Sequence, residues 1–115
     1  MTNNKLKVLF VCTVNRMRSA TAHAIFQDDD RFEVKSAGTS AEAATVVTND
    51  LLEWADVVLV MEKGHRNFIR GKFPKIYQSK RIVCLYIPDE YEFMQPELIA
   101  ILKERVEDVS RKGLL

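Results

Sequence analysis

Three short runs in the chain are almost continuously apolar: KLKVLFVC (5–12), DVVLVM (56–61) and RIVCLYI (81–87). They are rich in β-branched and aromatic residues, as strands buried on both faces are. A further strand, RFEVKS (31–36), alternates and is ended by Ala37–Gly38. Helical patterns fill the intervals: SATAHAIFQ (19–27), TVVTNDLLEWA (45–55), EKGHRNFIRGKF (62–73) and PELIAILKERVEDVSRK (96–112). Ser19 can cap the first, and Leu51, Leu52 and Trp54 give the second a core face. Gly71 and Pro74 break the third. The last carries proline in its first turn and keeps Leu98, Ile101, Leu102, Val106 and Val109 at helical spacing. This alternation predicts an α/β fold of parallel strands joined by right-handed crossovers, with helices on both faces. In such sheets ligands sit beyond the carboxyl ends of the strands, where the winding reverses. The first strand ends at Cys12.

At 115 residues the chain is expected to form one domain, 1–115. Seventeen basic against sixteen acidic residues leave a net charge of +1, so nothing global argues for nucleic acid or an anionic membrane as partner. No segment approaches the ~18 apolar residues of a membrane span. Lys5 and Lys7 precede Val8–Val11 in the manner of a signal peptide, but that apolar run is too short. Arg16 and Arg18 also stand where a small-residue cleavage site would be. The two cysteines, Cys12 and Cys84, are too few for a disulfide framework and too far apart for a metal knuckle. A reduced, cytoplasmic protein is the expectation.

Between the first strand and the first helix lies CTVNRMR, followed by Ser19. Backbone N–H groups at a helix N-terminus form a concave anion site, and the thiolate form of a cysteine is favoured there. An arginine at the far end, Arg18, can grip two oxygens of a phosphate at once, which lysine cannot. Five intervening residues suffice to encircle a tetrahedral oxyanion. The loop has no glycine, so Asn15 is the residue best able to supply a positive φ.

VLFVCTVNRMRSATA resembles the loop of the low-molecular-weight protein tyrosine phosphatases, Cys-x5-Arg-Ser with asparagine three after the cysteine. SAGTS (36–40), ADVVLVME (55–62) and IPDEY (87–91) are similar in order to further family stretches. The resemblance implies a four-stranded parallel sheet of order 2-1-3-4 and a phosphomonoester hydrolase working through a phosphocysteine. It implies Cys12 as nucleophile, Arg18 as phosphate clamp and Asp89 as general acid. Thr13, Val14, Asn15, Arg16, Met17, Arg18 and Ser19 would cradle the substrate's phosphate, with Tyr91 as an aromatic wall. Asn15, Ser19 and Ser36 would form the network that holds the loop. Substrates would be phosphotyrosine proteins or small phosphomonoesters, with no metal or cofactor. Departures are visible too. Val14 stands for a common glycine, Met17 for a second loop cysteine, Ala20 for a proline and His23 for a glutamate. The chain is shorter than usual, and the histidine that supports the loop in relatives has no evident counterpart.

Other residues read more blandly. Glu90 rivals Asp89 as the acid, since both follow the last strand. Tyr91 and Phe93 can equally pack their loop down. His23 and His65 are expected at the surface, with no ligand at metal spacing. The basic run 63–75 reads as a solvated helix face, and Cys84 as core. Three rival functions share parts of the pattern. An arsenate reductase would need more redox cysteines, a phosphocarrier domain would not need Arg18, and a phosphate-binding module would keep the loop without turnover.

Overall fold

The computed structural model describes residues 5–115. Four parallel strands, β1 (Leu6–Cys12), β2 (Phe32–Gly38), β3 (Val57–Val60) and β4 (Arg81–Cys84), form one sheet of order β2-β1-β3-β4. The helices are α1 (Arg18–Phe26), α2 (Asn49–Trp54), α3 (Lys63–Lys72), α4 (Pro74–Ser79) and α5 (Pro96–Arg111). Successive strand residues face opposite sides, so each apolar strand feeds two cores. Val8, Phe10, Cys12, Val57 and Leu59 meet Ala22 and Phe26 of α1 and Leu98, Leu102, Val106 and Val109 of α5. Leu9, Val11, Val58, Val60 and Cys84 meet Leu52 of α2, Ile69 of α3 and Ile76 of α4. The chain leaves β1 for β2 on one side and later returns to pair β3 on the other. The winding therefore reverses beyond the ends of β1 and β3, which is where this architecture opens a crevice. Among the described residues no helix is long and apolar enough to cross a membrane.

The boundaries differ from expectation at four places. The helix expected over 45–55 is only Asn49–Trp54, capped by Thr48, whose Oγ1 accepts from the Leu51 amide at 3.2 Å. The β-branched residues before it stay extended, and Val46 bridges to Gly38. The third helix runs through Gly71, and Pro74 opens α4 instead of merely ending α3, because proline lacks only a donor that a first turn leaves unused. β2 extends through Ala37 and Gly38, which pairs with Cys12. β4 stops at Cys84, three residues early, because Tyr86 takes φ +55° and interrupts the extended run.

Candidate functional site

The segment from Cys12 to Arg18 turns back on itself at the carboxyl end of β1. Asn15 has φ +57°, the left-handed conformation that a glycine-free loop requires and that asparagine tolerates best. The loop's carbonyls are tied outward. Those of Cys12, Thr13 and Val14 accept from the amides of Thr39, Ser40 and Ala44 at 3.0, 2.9 and 3.0 Å, and that of Met17 accepts from Thr21 at 2.8 Å. Among the described residues, the amides of Thr13, Val14, Arg16 and Met17 have no acceptor. A row of such free donors at a helix start is an oxyanion cradle. Gly38 makes the outer fastening possible. A Cβ there would lie 2.4 Å from the Thr13 carbonyl oxygen and 2.6 Å from the Ala43 Cβ. The SAG stretch is thus the close-approach point between β2 and the loop.

Two hydrogen bonds converge on the Cys12 sulfur, from the Asn15 amide at 3.2 Å and with the Ser19 hydroxyl at 2.9 Å. Asn15 Nδ2 donates to Ser19 Oγ at 2.8 Å, so the serine hydrogen is left for the sulfur or for the Ala37 carbonyl, 3.4 Å away. The shorter contact is the one to sulfur. Ser36 was expected in this network and lies outside it. It pairs with Phe10, two rungs before the Cys12–Gly38 rung, and its hydroxyl bonds His23 Nδ1 at 2.9 Å. Burial lowers the pKa of His23, which favours the neutral ring in that contact.

Arg18 is only 2% exposed. Its Nη1 donates to Glu62 Oε1 at 2.6 Å and to the Ile87 carbonyl at 2.8 Å. Both Nη1 hydrogens are therefore engaged, and the Nε–Nη2 edge is the one left for a bidentate anion. Asp89 approaches that edge, its Oδ1 lying 3.9 Å from Nε, on a side chain that is 67% exposed. Glu90, the rival, makes no ion pair with Arg18; its amide closes a tight turn onto the Pro88 carbonyl. Tyr91 is half-buried and packs on the α1–α5 core, while Phe93 and Met94 are exposed. Arg16 and Met17 are exposed on the loop, and Arg16 Nη2 reaches the Glu42 carbonyl at 3.3 Å.

Two residues of the site escaped the sequence reading. Glu62 appeared only as the end of one stretch and the start of a helix, with no role; in the fold it spans the crevice between β1 and β3 to hold Arg18. His65, expected at the surface, is 5% exposed. Its Nδ1 accepts from the Glu62 amide at 3.0 Å and its Nε2 contacts Thr13 Oγ1 at 2.9 Å. A histidine thus contacts the loop, from the first turn of α3. Burial first, then the charge of Arg18, pushes its pKa down to about 4 against the opposing pull of Glu62 and Asp89. The signal was present in E-K-G-H, a glutamate with a side-chain acceptor three residues on, which is helix-start chemistry.

The Cys12 sulfur, the four free loop amides and the open edge of Arg18 together have the chemistry to hold an oxyanion at the end of a parallel α/β sheet. The family model for low molecular weight phosphotyrosine protein phosphatases matches residues 7–53. The protein-arginine-phosphatase of Geobacillus stearothermophilus is 29% identical over 93 residues, covering 60% of this chain and 63% of that protein. The match to that curated relative thus spans less than two thirds of its length. Among solved structures, the YwlE arginine phosphatase from Geobacillus stearothermophilus superposes with a TM-score of 0.69 at 23% identity, covering 95% of this chain and 96% of the other. The low molecular weight protein tyrosine phosphatase SP-PTP from Streptococcus pyogenes gives 0.76 at 18% identity, covering 92% of each chain. Vibrio vulnificus Wzb in complex with benzylphosphonate gives 0.75 at 22% identity, covering 95% of this chain and 99% of the other. The chain is thus similar in sequence to the low molecular weight phosphotyrosine protein phosphatases over residues 7–53 and shares the fold of their solved structures over nearly its whole length.

Proposed function

We propose that the protein is a cysteine-dependent phosphomonoester hydrolase acting on phosphotyrosine-like groups of proteins or on small phosphomonoesters. The observation that carries this reading is the free Nε–Nη2 edge of Arg18, left open because Glu62 and the Ile87 carbonyl take Nη1. A purely structural arginine would have that edge hydrogen-bonded as well, whereas here it faces only the exposed Asp89 carboxylate at 3.9 Å. In the proposed reaction the Cys12 thiolate attacks phosphorus in line with the leaving oxygen. The equatorial oxygens are held by the loop amides of Thr13, Val14, Arg16 and Met17 and by Arg18. Asp89 gives its proton to the departing alkoxide or phenolate. It then takes a proton from water as water displaces the sulfur, releasing inorganic phosphate. Ser19 donates to the sulfur as it leaves. Tyr91 contributes apolar surface beside the substrate ring.

A second reading is supported by the name of the curated relative: a protein-arginine-phosphatase cleaves phosphorus from nitrogen, and the same thiolate and acid serve a P–N bond equally well. One experiment separates these. Para-nitrophenyl phosphate, a phosphotyrosine peptide and a phosphoarginine peptide are offered to wild type and to Cys12→Ser. Turnover by wild type that is lost in the folded serine variant supports the hydrolase, and the preferred peptide names the bond. Equal turnover by both forms would end the reading.

A further inference from the structure

We infer that His65 is a positioning residue that, through Thr13, aims the first amides of the cysteine loop at the bound oxyanion. The inference rests on the oxyanion-loop reading above. The Glu62 amide can only donate, so Nδ1 of the buried ring must hold a lone pair. The neutral ring's one proton is then on Nε2, and it is donated to Thr13 Oγ1 at 2.9 Å. The backbone donor assigns the tautomer. Thr13 is gripped from two directions. His65 holds its hydroxyl from α3, and Ser40 holds its carbonyl from the loop after β2. Together with the Thr39 amide, which holds the Cys12 carbonyl, these contacts fix the peptide planes on either side of Thr13, and hence where the amides of Thr13 and Val14 point. Neither amide has another partner among the described residues. Exposed Thr13 gives no packing reason for a histidine to be buried against it, and helix capping alone would use Nδ1 and leave Nε2 idle.

The same glutamate closes the arrangement. Glu62 holds Arg18 with its side chain and His65 with its amide. One residue at the start of α3 therefore sets both ends of the loop, the arginine fork directly and the first amides through His65. Displacing an oxyanion donor costs less than deleting it, so the expected effect lies below the roughly 10²–10³-fold of outright removal.

The test is a double-mutant cycle on His65→Asn and Thr13→Val. Asparagine still offers an acceptor to the Glu62 amide but no longer reaches Thr13. Valine keeps the shape of Thr13 and removes its acceptor; because Thr13 is exposed, that variant leaves the fold intact. Orthovanadate affinity is read by calorimetry, and kcat and KM with para-nitrophenyl phosphate are read beside it. Each single variant should weaken vanadate binding about ten-fold and lower kcat more than it raises KM, as loss of transition-state contacts does. The double variant should be no worse than the worse single. Unchanged affinity in Thr13→Val, or losses that multiply in the double variant, would overturn the inference. Vanadate binding needs no turnover, so a wild type that binds vanadate but hydrolyses nothing removes the hydrolase reading and leaves this cycle to decide the role of His65.

Discussion

Arg18 and Glu62 meet at 2.6 Å across the crevice between the ends of β1 and β3, joining the loop's arginine to the first turn of another helix. The arginine is buried and the carboxylate is half in solvent, so the contact orients the guanidinium more than it stabilises the fold. Glu62→Gln keeps an oxygen within reach and should retain most of kcat/KM. Glu62→Ala frees Nη1 and should lose more than about ten-fold, in the range expected when a charge-assisted bond is removed. Steady-state kinetics on para-nitrophenyl phosphate reads the difference. An alanine variant with wild-type kcat/KM would make the contact incidental.

Asp89 reaches toward the arginine's open edge and Glu90 does not. Asp89→Asn should therefore lose roughly 10²–10⁴-fold with poor leaving groups, the usual weight of general acid catalysis. The deficit should shrink as the leaving group becomes more acidic. A Brønsted series over substituted phenyl phosphates measures this directly. The same steepening in Glu90→Gln, with Asp89→Asn unaffected, would move the acid by one residue.

How legible this site was depends on which forces fixed each part. Cys12, Asn15 and Arg18 lie within one loop, and the roles proposed for them follow from a strand end meeting a helix start. The strands followed from apolar runs, and their order from the family resemblance alone. Glu62 and His65 were not legible in the same way, because each works on a residue more than forty positions away. A polar residue in a short basic helix looks solvated until the sheet brings β1 beside β3. The α2 boundary was misjudged for a local reason: β-branched Thr45 to Val47 suit either state, and pairing with Gly38 drew them into extended backbone.

Cys12 and Cys84 occupy opposite faces of the sheet, in separate cores. Val11 pairs with Val60, which pairs with Cys84, so the two cysteines are two strands apart. At the usual strand spacing that is ~9–10 Å, beyond the ~7 Å that a disulfide allows. Peroxide should inactivate the protein without forming an internal disulfide, and bound phosphate should protect it. Peptide mass spectrometry should find sulfenic and then sulfinic acid at Cys12. A Cys12–Cys84 crosslink within one chain would instead favour a reductase cycle.

His65 gives the stability a specific pH dependence. Its pKa in the fold is about 4, below the ordinary 6.5, because it is buried near Arg18. Between those values the unfolded chain binds the proton and the folded chain does not. The contribution of the neutral ring is therefore complete above about pH 6.5 and is lost as pH falls toward 4. Denaturant midpoints for wild type should drop across that window. The drop should be visibly smaller in His65→Asn, which has no ring to protonate. Equal slopes would place the proton elsewhere.

The outward bonds from Thr39, Ser40 and Ala44 to the loop carbonyls have a consequence for observation. Those three amides lie on the far side of the loop from any ligand, yet each is protected only while the loop keeps its shape. Their hydrogen-exchange rates therefore act as a reporter that the ligand never touches. A variant that loses turnover with slow exchange at these positions has lost chemistry, and one that loses turnover with fast exchange has lost the cradle.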